Sequence, residues 1–238
     1  MKLVYRVLMT LIRIAAVGDI HSQKFLAEFK TCVSNIESSA VDLFLLAGDL
    51  IFKGRHENIR DVLNVLEENH VSCPIIGCFG NEEYSQIREQ IMRAVGNRIR
   101  FLDDEGIIIR INNLDVGVVG SQGSLDKPTP WQAGNLPNMG SIYSKRIRRI
   151  QQLLAELSSD IKILLTHYPP TYKILKGEIA FSYPYIGCQR CEKIISESSV
   201  NAVICAHSHR GIPYAVVNGV PVYNVSLPAV HKITLIDI

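Results

Sequence analysis

Five short apolar runs, each closed by a polar residue, constrain the fold of this chain more than any other feature. They are Leu11 to Val17, Val41 to Ala47, Pro74 to Phe79, Ile161 to Thr166 and Val200 to Cys205. Their near-continuous hydrophobicity suits strands buried on both faces, as in a sheet covered by other layers. Just beyond them stand Asp19-Ile20-His21, Gly48-Asp49, Gly80-Asn81, His167 and His207-Ser208-His209. In open α/β sheets the ligand site lies beyond the carboxyl ends of the strands. A hydrophobic core has no use for polar residues converging on one edge, so the pattern points to a site rather than to packing.

The residue types narrow the chemistry. Imidazole, carboxylate and amide oxygen together suit Mn, Fe, Zn, Ni or Co, whereas calcium favours all-oxygen cages. In Asp19-x-His21 and His207-x-His209, alternate residues of extended chain project to one side. One carboxylate can bridge two ions, and Asp49 sits in the middle of the set. Two divalent ions roughly 3.5–4 Å apart can share a hydroxide, lower its pKa and clamp the attacking and leaving oxygens of an in-line displacement. Phosphoryl esters profit most from that clamp, so the expected reaction is hydrolysis of a small phosphorylated substrate.

These segments, in this order, resemble the motifs of the calcineurin-like metallophosphoesterases: Asp-x-His, Gly-Asp, Gly-Asn-His-Glu/Asp, His and Gly-His-x-His. The match runs from about Leu11 to His209. The resemblance implies an α/β fold of two sheets packed face to face with helices outside, in four αββα layers. It also implies that Asp19, His21, Asp49 and His209 hold one metal and that Asp49, Asn81, His167 and His207 hold the other. Asp49 would bridge, with two divalent ions as cofactors and manganese the expected one. Asp49 and His209 would be catalytic, and a hydroxide bridging the two metals would attack a phosphodiester or an activated phosphate ester. Two departures stand out. The motif histidine that assists the leaving group is Glu82, in Gly80-Asn81-Glu82-Glu83, and the glycine before the last pair is Ala206. The alanine is tolerable if the backbone there avoids positive φ. A glutamate beside two cations stands as a charge rather than as a proton donor, which favours diesters or good leaving groups. The competing reading is a non-catalytic metal-binding scaffold of the same fold used for protein interaction. No ligand is missing, so only Glu82 speaks for it.

At 238 residues and 47% hydrophobic, the chain suits one α/β domain. No apolar stretch reaches the roughly 18–20 residues of a membrane span. Residues 1–9 read as an N-terminal extension, with Met9-Thr10 an alternative start. Arg6 and Arg13 interrupt the apolar start, so it does not read as a secretory signal. Six cysteines in a chain this long form no disulfide framework, and the expected compartment is the cytoplasm. Cys188-x-x-Cys191 reads as a helix start. A net charge of +2 gives no global field for nucleic acid or an anionic membrane, and neither is an expected partner. A homo-oligomer stays open.

Helices are expected after the first two ligand segments, with Phe25, Phe29, Val33 and Ile36 on one face of the first and Ile59, Leu63 and Leu66 on the second. A third is expected to open at Asn81, with Glu82 and Glu83 at the positive end of its dipole. Hairpins are expected at Asn112-Asn113 and Asn218-Gly219. The basic run Lys145, Arg146, Arg148 and Arg149 reads as a solvated helix face beside the stripe Ile147, Ile150, Leu154 and Leu157. Ser121 to Gly140 reads as a long loop forming a lid or substrate wall, and Thr171 to Tyr185 as an opposite wall or dimer contact. His56 and Arg210 are the candidate substrate contacts.

Overall fold

The structure is a computed structural model, and it describes residues 11–238. The N-terminal extension over residues 1–9 lies outside the described residues. The strands and helices follow in the order β1 (Arg13–Val17), α1 (Leu26–Ser34), β2 (Leu43–Ala47), α2 (Ile59–Glu68), β3 (Ile75–Cys78), α3 (Arg88–Val95) and β4 (Arg100–Leu102). Then come β5 (Glu105–Ile111), β6 (Leu114–Ser121), α4 (Pro130–Asn135), α5 (Met139–Glu156) and β7 (Ile161–Thr166). The chain closes with α6 (Tyr183–Ile186), α7 (Cys191–Glu197), β8 (Ala202–Cys205), β9 (Tyr214–Val217), β10 (Val220–Asn224), α8 (Leu227–Val230) and β11 (Thr234–Asp237).

All five apolar runs become strands, in two sheets. The first sheet has the order β11-β1-β2-β3-β4, and the second β5-β6-β7-β8-β10-β9. Strands β1 to β4 are mutually parallel, with β11 antiparallel against β1. Strands β6, β7, β8 and β10 are also parallel, flanked by antiparallel β5 and β9. Side chains alternate along each strand. Ile14, Ala16, Leu43, Leu45, Ile76 and Cys78 therefore face Val116, Val118, Ile163, Leu165 and Ile204 of the second sheet. The intervening Ala15, Val17, Phe44, Leu46 and Ile75 pack under α1, α2 and α3. On the far side Val119, Leu164, Val203 and Val222 pack under α5 and α7. This is the expected four-layer αββα sandwich. It explains why the runs show no polar alternation: the strands they form are covered on both faces.

Both expected hairpins form, and Asn112, Asn113, Asn218 and Gly219 all take the positive φ that tight hairpin turns require. Three local expectations need correction. The third helix opens at Arg88, after a 3-10 turn over Ser85–Ile87, so Glu82 and Glu83 lie in the preceding loop. Ser121 to Gly140 is not a bare loop. It contains α4, whose Thr129 accepts from the Gln132 N–H while the Gln132 side chain accepts from the Thr129 N–H, with Pro130 at the first position. The basic run is not wholly solvated either. Arg146 pairs with Asp104 at 3.1 Å and donates to the Gly123 carbonyl, which ties α5 to the start of that segment. All six cysteines are free thiols, and Cys191 opens α7. Among the described residues no helix is long and apolar enough to cross a membrane.

Candidate metal centre

The ligand residues sit on the turns that follow β1, β2, β3, β7 and β8, at one end of the sandwich. Asp19, His21, Asp49 and His207 all have positive φ, which is uncommon for residues other than glycine. Such conformations concentrate at functional sites, where surrounding structure holds them in place. Ala206 is absent from the positive-φ residues, so its replacement of glycine costs no strain. Two glycines have steric reasons to be there. A Cβ on Gly80 would lie 2.1 Å from Asp49 Oδ1, and one on Gly48 would lie 2.6 Å from the Gly80 nitrogen.

Two clusters result, each with one aspartate and two histidines whose ligand atoms lie within 4.8 Å of one another. In the first, Asp19 Oδ1 lies 3.5 Å from His209 Nε2 and 3.8 Å from His21 Nε2, and those two nitrogens are 3.5 Å apart. In the second, His167 Nε2 lies 3.0 Å from Asn81 Oδ1, 3.1 Å from His207 Nδ1 and 3.5 Å from Asp49 Oδ2. Asp49 is grouped beside His167 and His207, and the first cluster consists of Asp19, His21 and His209 without it.

Neighbouring groups orient these ligands. His167 Nδ1 lies 3.0 Å from the Ala47 carbonyl. A carbonyl can only accept, so Nδ1 carries the proton and Nε2 turns its lone pair to the cluster. Asp19 Oδ2 accepts the His207 N–H at 2.7 Å, linking the two sheets. Asn224, fully buried, donates to the Ser208 carbonyl at 2.9 Å and steadies the turn between the paired histidines. The Glu178 carboxylate accepts from the Ser208 hydroxyl and the Arg210 N–H, fixing that turn from the other side.

Glu83, which sequence reasoning placed only at a helix dipole, supports the whole centre. Its carboxylate is fully buried and accepts four backbone N–H bonds, from Asp49, Leu50, Ile51 and Gly80, at 2.7 to 3.1 Å. It thereby fixes the turn that presents Asp49 against the turn that presents Asn81. Glu82 points elsewhere. Its carboxylate accepts the Lys53 N–H at 2.5 Å, and its own N–H donates to Asp49 Oδ1 at 2.7 Å. Of the candidate substrate contacts, His56 pairs with Glu57 of its own turn at 3.6 Å, and Arg210 is exposed beside His209. At the start of the Ser121–Gly140 segment the Ser121 carbonyl accepts the His167 N–H.

The electrostatics ask for cations. Burial holds the proton affinity of His207 well below its ordinary value, lowers that of His167, and pushes His21 down to about 4. Neutral imidazole is the form that ligates metal. Burial, reinforced by the carboxylates of Glu83 and Asp19, raises Asp49 well above the usual carboxylate range. Burial also penalises the Asp19 charge, but attraction to the adjacent imidazoles of His209, His167 and His21 prevails and holds it below that range. At His209 the neighbouring Asp19 carboxylate outweighs burial and raises the proton affinity. Asp19 Oδ1 is buried with no hydrogen-bond donor. In the second cluster two imidazole nitrogens, a carboxylate oxygen and an amide oxygen converge within hydrogen-bond range. Lone pairs gathered in this way are unfavourable unless a cation lies among them. The residues present therefore fit two divalent ions.

Residues 12–211 match the calcineurin-like phosphoesterase family, and the chain belongs to that family. Among solved structures, phosphopantetheinyl hydrolase from Mycobacterium tuberculosis has a similar fold, with a TM-score of 0.68 at 14% identity over 91% of this chain and 89% of that one. TT1561 of Thermus thermophilus matches with 0.58 at 16% identity over 96% and 99% of the two chains. GAP50, the anchor in the inner membrane complex of Plasmodium, matches with 0.57 at 14% identity over 92% and 72%. At these identities the likeness is one of fold. No curated protein matches the sequence.

Proposed function

We propose that this protein is a dinuclear metal-dependent phosphoesterase that hydrolyses a phosphodiester or an activated phosphate ester. The observation that carries the reading is the pair of three-residue clusters side by side at the strand ends, with three imidazoles kept neutral by burial and an orphaned buried carboxylate oxygen. Asp19, His21 and His209 would hold one ion and Asn81, His167 and His207 the other, with Asp49 shared between them; manganese is the proposed metal. When bound, such a pair activates a water and offsets charge on the attacking and leaving oxygens. The water oxygen bonds to phosphorus, the ester P–O bond breaks, and the alcohol departs. Glu83 keeps Asp49 and Asn81 in register while charge shifts between substrate and product. Glu82 accepts the Lys53 N–H and braces the loop, standing where the motif has the imidazole that would assist an alkoxide. That supports substrates whose leaving group needs no such assistance.

The same Glu82 is the one observation that favours a scaffold reading, in which metals are held without turnover. A single experiment separates the two: metal analysis together with hydrolysis of bis(p-nitrophenyl) phosphate in added Mn²⁺. Bound metal with no turnover on any ester would favour the scaffold. Asp49→Asn should lower metal content and cut the rate more than tenfold, equivalent to ~1.4 kcal/mol in barrier. A variant that keeps both metals and more than about a tenth of the rate would sink the shared-ligand assignment.

A further inference from the structure

The rim beside the His21 cluster carries two cations that the ligand motifs do not account for. A turn after His21, closed by the Lys24 N–H on the His21 carbonyl and the Phe25 N–H on the Ile20 carbonyl, brings Phe25 to 6.2 Å from the His21 ring. From the loop after Asp49, Phe52 reaches 6.0 Å from the same ring, edge on. Each phenylalanine carries a lysine ammonium over its face: Lys24 at 4.8 Å and Lys53 at 5.0 Å from the ring centroids. Attraction to the ring quadrupole holds an ammonium near the site instead of leaving it free in solvent. Lys30 and Lys193 are paired with glutamates, but among the described residues neither Lys24 nor Lys53 has a carboxylate within 4.0 Å. Lys53 is adjacent to Glu82 through the bond from its own N–H.

We infer that Lys24 and Lys53 bind a second phosphate, and that the substrate is a diphosphate diester, two organic groups joined through a P–O–P bridge. The inference rests on the hydrolase reading above and names its substrate class. Two unpaired ammoniums on one side of the centre supply more positive charge than the scissile phosphoryl group needs. They suit a substrate bearing an adjacent anion. The same choice resolves the position of Glu82. An alkoxide leaving group needs a proton, and Glu82 is engaged as an acceptor. A phosphate leaving group, with a second pKa of about 6, departs as an anion near neutral pH. Its charge then needs a cation, and the Lys53 ammonium is held over Phe52, the ring that approaches His21. In the balanced step the water oxygen bonds to one phosphorus and the bond from that phosphorus to the bridging oxygen breaks. The bridging oxygen leaves with the electron pair on the second phosphate, and two phosphate monoesters and two protons result.

The test compares calorimetric binding of α,β-methylene-ADP and AMP, which differ by one phosphate-like group, to the manganese-loaded protein with metal content checked afterwards. α,β-Methylene-ADP should bind more tightly. Lys24→Ala and Lys53→Ala should each reduce that preference roughly threefold, as expected for exposed charge pairs, and the preference should shrink as salt rises. Lys24→Arg and Lys53→Arg should retain most of it, and Lys145→Ala, on the exposed face of α5, should leave it unchanged. In parallel, the KM for ADP-glucose should rise in the alanine variants more than the KM for bis(p-nitrophenyl) phosphate. Diester turnover in the parent with equal affinity for the two nucleotides overturns the inference and leaves the hydrolase reading intact. Lysine-dependent preference for the diphosphate with no turnover of bis(p-nitrophenyl) phosphate or ADP-glucose overturns the hydrolase reading, and the substrate class with it, and leaves only a lysine-dependent site for a second phosphate.

Discussion

At the scale of single residues, Glu83 is the side chain on which the centre most depends without itself being a ligand. Four N–H donors converge on its two oxygens in a fully buried position. In Glu83→Gln one oxygen becomes an NH₂ group facing the same donors, which leaves about two of them unsatisfied. At ~1–3 kcal/mol for each buried donor, stability should fall by about 2–6 kcal/mol. Metal content should fall too, because the Asp49 and Asn81 turns lose their common anchor. Urea unfolding and metal analysis measure both. A variant within ~0.5 kcal/mol of the parent, the range of an ordinary surface change, would show that the four bonds are dispensable. Glu82→Gln gives up one bond at the surface and should cost far less.

At the scale of elements, two glycines in different settings should respond in opposite directions. Gly219 turns the β9–β10 hairpin with φ +87, so Gly219→Ala should cost about 1 kcal/mol. Gly134 lies inside α4 with nothing within 4 Å of an added Cβ, so Gly134→Ala should gain up to about 1 kcal/mol. Thermal melts that reverse this order would contradict the assignment of either element. The contrast also shows what was legible in the chain. The strands could be read because layers on both faces impose unbroken hydrophobicity, and the hairpins because Asn-Asn and Asn-Gly suit left-handed turns. The start of α3 was misread because two acids after a strand look like a helix first turn. Burial of one of them under backbone donors from a turn 33 residues away is a tertiary fact with no local signature. By contrast, α4 had a readable mark in Thr129-Pro130-x-Gln132. The seven candidate ligands could be placed by motif order, but the left-handed backbone of Asp19, His21, Asp49 and His207, together with Asn224, Glu178 and the two rim lysines, could not.

At the scale of the whole molecule, the buried imidazoles make stability depend on pH. His21 binds its proton near pH 4 when folded, against 6.5 for the free side chain, and His167 and His207 are lowered in the same direction by burial. Between these values the unfolded chain holds protons that the folded chain refuses, so stability is lost as pH falls from about 6.5 towards 4. His21 alone accounts for roughly 3 kcal/mol. His209, Asp49 and Glu83 are raised and oppose the trend, their contributions being lost as pH rises. Urea titrations of chelator-treated protein at pH 7, 6 and 5 should show a falling midpoint, and a flat series would contradict the burial argument. A different consequence follows from where the ligands originate. The first cluster takes Asp19 and His21 from the β1 side and His209 from the β8 side, and the second takes Asp49 and Asn81 from one sheet and His167 and His207 from the other. Each cluster thus spans the seam of the sandwich like a clasp at the open edge of a book. The tilt of one sheet on the other and the bite of both ligand sets are a single mechanical variable. Side chains between the sheets, none of which is itself a ligand, set the gauge of the centre, while those under the outer helices reach it only through one cover.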